Sequence, residues 1–110
     1  MRQHRKLTLA LLLPWTLQVP AADTSTVFAN NCTACHGTDG SANTPQGRKV
    51  KARDLRASTL TDAEIERQIR EGSKKKSGIS VMPAFGHDLT DAQIQEAIRT
   101  VKSFRPSTPK

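Results

Sequence analysis

Two thiols and an imidazole crowd into one stretch of this chain, Cys32-Thr33-Ala34-Cys35-His36, and nothing else in it limits the fold as strongly. Residues at i, i+3 and i+4 of a helix share a face, so Cys32, Cys35 and His36 point the same way from a single turn of backbone. A thioredoxin-type redox pair needs a βαβ setting, and the sequence has no convincing strand alternation. Zinc needs two more well-placed ligands than the sequence clearly offers. A disulfide between residues this close would constrain little of the unfolded chain. C-x-x-C followed at once by His fits c-type haem attachment: the thiols bond two vinyl groups and the imidazole ligates the iron.

The N-terminus supports export. Arg2, Arg5 and Lys6 precede the apolar run Leu7 to Leu13, and small residues follow at Ala21 and Ala22. That is the order of a secretory signal peptide. Val19 and Ala21 suit a peptidase cutting after Ala21, which divides the chain into a signal peptide over 1–21 and one domain over 22–110. An uncleaved anchor is the alternative, but a spanning helix needs about 20 apolar residues and this run is shorter and meets Pro14.

The 110 residues suffice for one small domain. The formal charge is +7, from 17 Lys and Arg against 10 Asp and Glu. Three of the positive charges lie in the export segment, so the remainder is only modestly basic and nucleic acid is a poor candidate partner. Outside Trp15 the aromatics are Phe28, Phe85 and Phe104. A chain of this size buries about 60–70% of its unfolded surface and often needs a staple. A buried haem would supply the missing apolar bulk.

Thr24 or Ser25 can cap a first helix that runs into the cysteine motif. Gly37 to Ser58, punctuated by Gly40, Pro45 and Gly47, reads as loop. Pro45 either turns its carbonyl toward the His36 imidazole or is a simple turn proline. Leu60-Thr61-Asp62-Ala63-Glu64-Ile65 and Leu89-Thr90-Asp91-Ala92-Gln93-Ile94 each carry a capping box and start a helix. The first of these helices carries Ile65 and Ile69 on one face and ends near Gly72. The second carries Ile94, Ala97, Ile98, Val101 and Phe104 as a stripe and stops before Pro106.

Beyond the export segment the one methionine is Met82, in Val81-Met82-Pro83-Ala84-Phe85-Gly86. A thioether is a soft ligand suited to haem iron, and Pro83 restricts the Met82 backbone. A gap-filling core role is the plain alternative. His87 competes as a ligand but begins a polar turn.

Together these residues resemble a class I c-type cytochrome of the short bacterial mono-haem kind. The resemblance runs from Val27 to Phe104 and rests on Cys32 to His36, on Gly37-Thr38-Asp39-Gly40, on Met82-Pro83-Ala84-Phe85 and on the order of the helices. It implies an all-α fold, three to four helices and long loops wrapped around one covalent haem c. It also implies thioethers at Cys32 and Cys35, a proximal His36, a distal Met82, and a first helix packed on the last. The family's aromatic midway along the last helix falls here at Thr100, and Phe104 can substitute one turn later.

The function this implies is one-electron transfer without bond chemistry, in a carrier rather than an enzyme, exported to the bacterial periplasm. Its partners would be redox proteins, with acidic surfaces that Lys74-Lys75-Lys76 or the spread Arg48, Lys49, Lys51, Arg53 and Arg56 can meet. Membrane contact would come only through a membrane-bound partner or an uncleaved N-terminus. A subunit through which electrons enter a larger oxidoreductase is the alternative. A small haem peroxidase would need an open iron site and a distal acid–base group, for which His87 is the candidate.

Overall fold

The structure is a computed structural model that describes residues 25–107 and the isolated positions 10, 12 and 14. The expected export signal over 1–21, those three positions apart, lies outside the described residues, as do residues 108–110.

Helix α1 (Thr26–Asn31) begins at Ser25, whose hydroxyl accepts the Phe28 N–H at 3.2 Å. The chain breaks helical geometry at Cys32 (φ −124°) and resumes as α2 (Thr33–His36). The expected single helix is therefore two segments. Hydrogen bonds still cross the break, from the Cys32 N–H to the Phe28 carbonyl and from the His36 N–H to the Cys32 carbonyl, both 2.9 Å. Beside it, Thr33 Oγ1 donates back to the Ala29 carbonyl at 2.7 Å, a bond that tends to bend a helix.

The stretch read as loop contains two ordered pieces. Thr44 caps α3 (Pro45–Val50), with Pro45 in its first turn, where a missing N–H costs nothing. Asp54 caps a 3-10 turn over Leu55–Ala57. Helix α4 (Asp62–Glu71) and helix α5 (Asp91–Ser103) both start with complete capping boxes, Thr61 with Glu64 and Thr90 with Gln93. Between them two short antiparallel strands, β1 (Ser73–Lys74) and β2 (Ser80–Met82), pair Ser73 with Met82 and Lys74 with Ser80 around a bulge. The sheet corrects the expectation of an architecture free of strands, and α1 to α5 exceed the expected three to four helices. The fold class stands: helices joined by long loops.

Both α1 and α4 pack on α5. Val27, Phe28, Ile65, Ile69, Ile94, Ala97, Ile98 and Val101 form the core, with Ile94 fully buried. The expected aromatic contact is made by Phe104, whose ring lies 5.1 Å from that of Phe28 at 59°, a favourable tilted pair. Thr100 is buried one turn earlier, its hydroxyl donating to the Glu96 carbonyl at 3.1 Å. Phe104 is half-buried, so Phe104→Ala is expected to cost about 2–3 kcal/mol, below the range for fully buried phenylalanines. Denaturant unfolding of the mature protein measures it.

Candidate functional site

The two-segment α1–α2 unit presents Cys32, Cys35 and His36 to one cavity, of about 610 Å³. Phe28, Leu55, Ile65 and Ile69 line it from the core side, and Met82 lines it from β2. The structure thus brings together all four residues singled out in the sequence: Cys32, Cys35, His36 and Met82. Cavities that hold organic cofactors run from about 300 to 1,000 Å³ and are mostly apolar.

His36 is the better defined of the two possible iron ligands. Its Nδ1 lies 3.2 Å from the Arg53 carbonyl oxygen. A carbonyl only accepts, so Nδ1 carries the proton and Nε2 keeps a free lone pair, the usual arrangement of a metal-ligating histidine. Burial pushes the His36 pKa down, with the Arg53 carbonyl opposing it, which keeps the imidazole neutral and ready to ligate. The carbonyl that orients His36 is therefore Arg53's and not Pro45's. Pro45 serves the first turn of α3.

The Cys32 thiol is pushed up to about 11, first by burial and then by the charge of Cys35. A thiol so raised is a poor redox nucleophile. Among the described residues no group of three or more His, Cys, Asp and Glu side chains is arranged to hold a metal ion, so the zinc reading of C-x-x-C lacks its ligands there. His87 is exposed in the turn before α5 and is not among the cavity's lining residues, so it does not offer the distal group a peroxidase needs.

Two further contacts fix the cysteine wall. Thr44 Oγ1 lies 2.8 and 3.0 Å from the Ala34 and Cys35 carbonyl oxygens and accepts the Gly47 N–H at 2.9 Å. Gly47 lets α3 approach so closely that a Cβ there would stand 2.2 Å from the Cys35 carbonyl oxygen and 2.5 Å from that of Ala42.

The methionine wall is held through α4. The chain after Met82 folds back over the helix end, where the Phe85 and Gly86 N–H groups bond the Ile69 and Arg70 carbonyls at 2.9 and 3.2 Å. These satisfy carbonyls that a helix leaves unpaired. Gly72 ends α4 at φ +66°, and a Cβ there would stand 2.3 Å from the Met82 carbonyl oxygen. Gln68, on the same face as Ile65 and Ile69, donates from Nε2 to Met82 Sδ at 3.4 Å. The sequence reading missed Gln68, although a polar residue between two core isoleucines at helical spacing was a visible signal. It also missed Thr44, Gly47 and the Arg53 carbonyl, which have no comparable pattern.

Two thiols and a neutral imidazole on one wall, a thioether on another and apolar side chains between them fit a covalently attached porphyrin whose iron takes a nitrogen and a sulfur ligand. Comparison with known proteins bears on the covalently held haem and the fold. The family model for Cytochrome C oxidase, cbb3-type, subunit III matches residues 20–99. Among solved structures the chain is similar to the KustC0563 c-type cytochrome, with 26% identity and a TM-score of 0.63, covering 73% of this chain and 94% of that one. A tyrosine-to-phenylalanine mutant of Kustc0563 matches at 28% identity and a TM-score of 0.60, covering 72% and 94%. No curated protein matches.

Proposed function

The chain belongs to the cytochrome family described as Cytochrome C oxidase, cbb3-type, subunit III, and from that premise we propose that it is an exported one-electron carrier holding a single haem c between His36 and Met82. Electron transfer through covalent haem is the family's activity, and members act as carriers rather than enzymes. The observation that carries the finer reading is the shared cavity lined by Cys32, Cys35, His36 and Met82.

Bound there, the haem supplies a ferric/ferrous couple. Cys32 and Cys35 hold it through thioethers. His36, kept neutral and turned by the Arg53 carbonyl, offers Nε2 to the iron. Met82 offers its sulfur, and Met/His ligation raises the reduction potential relative to bis-histidine. Phe28, Ile65 and Ile69 keep water from the cofactor face, which favours the less charged ferrous state.

A visible spectrum of the mature protein, made with a haem-ligation system, tests the assignment. Sharp reduced bands that resist acid-acetone extraction are expected, together with a ferric methionine–iron charge-transfer band. Extraction of the haem would overturn covalent attachment.

Gln68 bears on the potential. Its amide donates to the Met82 sulfur and draws electron density from it. Gln68→Leu is expected to lower the potential by about 40 mV, the equivalent of a hydrogen bond of about 1 kcal/mol in a one-electron couple. Voltammetry measures it. An unchanged potential would leave the amide a packing role alone.

Export places the domain over 22–110 in the bacterial periplasm after loss of the signal over 1–21. Among the described residues no helix is long and apolar enough to cross a membrane. The family's description favours a second reading, in which the chain is the subunit through which electrons enter a cbb3-type oxidase. Co-purification with a detergent-solubilised oxidase at fixed stoichiometry would establish that reading, and a protein recovered wholly free would exclude it.

A further inference from the structure

Arg70, in the last turn of α4, grips one short segment of chain at both ends. Its carbonyl accepts the Gly86 N–H at 3.2 Å. Its Nη2 donates to Asp91 Oδ1 at 2.8 Å. Between these two points the chain makes a turn, in which the Asp88 and Leu89 N–H groups both bond the Phe85 carbonyl, at 3.1 and 3.0 Å. Thr90 then caps α5, of which Asp91 is the first residue. Gly86 permits the close approach: a Cβ there would stand 3.1 Å from the Arg70 carbonyl oxygen and 3.5 Å from the Arg70 Cβ. The guanidinium is steadied from its other side by Glu66, 3.6 Å from Arg70 Nε, and Glu66 in turn accepts from Gln95 Nε2 of α5 at 2.7 Å.

The segment so gripped follows directly on Met82. Phe85 lines the cavity with Met82, and its N–H bonds the Ile69 carbonyl. Pro83 has no N–H to give. On the upstream side the Met82 backbone is held by its pairing with Ser73, in a sheet of two short strands, and a two-stranded hairpin is marginal by itself. The place of Met82 therefore depends on the bonds downstream, at Phe85 and Gly86. An exposed ion pair adds little to global stability, and the Asp91 side chain is 90% exposed. Its leverage here is local. A surface segment opens at far less cost than the whole fold, so its open fraction responds to each contact that holds it.

From this we infer that Arg70 is a positioning residue for Met82, its carbonyl and guanidinium together strapping the turn from Gly86 to Asp91 onto α4. The inference deepens the electron-transfer reading and rests on Met82 as an iron ligand.

Amide hydrogen exchange of the ferrous holoprotein, followed by NMR, tests the strap. Arg70→Met should speed exchange of the Phe85 and Gly86 amides by about fivefold, the upper end for exposed pairs, and Asp91→Asn should speed them in the same direction. Arg70→Met/Asp91→Asn should go no further than Arg70→Met alone, since both remove one contact. Lys102→Met is the control, because Lys102 and Asp62 also join α5 to α4, at 2.9 Å, away from the strap. It should leave the two amides unchanged. Rising salt should speed them in the wild type, relative to the Ala52 amide bonded to the Gly47 carbonyl, and should not do so in Arg70→Met, because ions screen the pair. Displacement of Met82 by added imidazole, read from the methionine–iron band, should quicken in parallel with exchange. Unchanged exchange in Arg70→Met would overturn the inference. Equal quickening by Lys102→Met would overturn it in favour of a general loosening of α4 from α5. Faster exchange with an unchanged imidazole rate would show that Arg70 holds the turn and does not position Met82. A wild-type spectrum without the methionine–iron band would instead count against Met82 as ligand, and exchange would still decide the strap.

Discussion

Gly47→Ala is expected to abolish recovery of the mature haem protein, or to leave a small fraction unfolding far below the wild type. The added Cβ would press on the Cys35 and Ala42 carbonyl oxygens and on Thr44 Oγ1 at 2.2, 2.5 and 2.9 Å. The first two are backbone atoms of tight connections and have no rotamer into which to retreat. Relief requires α3 to withdraw from α2, which breaks the Thr44 contacts with the Ala34 and Cys35 carbonyls. The cost should reach about 4 kcal/mol or more, a large part of a small domain's stability. Covalently bound haem per mole of protein and the urea midpoint measure it. Gly78→Ala is the comparison: Gly78 sits at φ +86° with no atom within 4 Å of the built Cβ. It should cost only about 1–2 kcal/mol, the strain of a left-handed residue. Gly47 has no left-handed φ, so equal losses in the two variants would show that the close approach of α3 to Cys35 is not what makes Gly47 necessary.

Met82→Ala is expected to keep the haem attached and to change its electronics. Cys32 and Cys35 are untouched, so acid-acetone should still leave the haem on the protein. The methionine–iron charge-transfer band should vanish, and the potential should fall by hundreds of millivolts, a large part of the roughly 0.8 V that axial ligands span. Spectroscopy and voltammetry on one preparation read both. A band that survives would remove Met82 from the iron. Met82→Ala together with Gln68→Leu should shift the potential no further than Met82→Ala alone, because the amide acts on the sulfur that the first substitution removes.

The chemistry of this chain was legible because it is written in short spacings. Cys32, Cys35 and His36 need only the helical period to share a face. Thr61 with Glu64 and Thr90 with Gln93 announce α4 and α5 locally, and the stripe from Ile94 to Phe104 announces the buried face of α5. Phe104 was a candidate to replace the aromatic that the family resemblance implies at Thr100, because a helix returns to the same face each turn, and the structure supplies its contact with Phe28. The short elements were another matter. Helix α3 has six residues, few of them apolar and one of them Gly47, so it shows no hydrophobic period. It exists because Thr44 caps it and α2 packs on it. Strands of two and three residues are too short to alternate, and their pairing is set by how α4 ends at Gly72.

Residue types and local order thus single out the candidate groups for holding a cofactor and the helices that can form. How those groups are held depends on backbone atoms distant in sequence: the Arg53 carbonyl against His36, the Cys35 carbonyl against Gly47, the Ile69 and Arg70 carbonyls against the chain after Met82. Every residue carries the same carbonyl, so no pattern of side chains marks which one will be used. Only packing α1, α4 and α5 around a common core brings those particular carbonyls within hydrogen-bonding reach of the site.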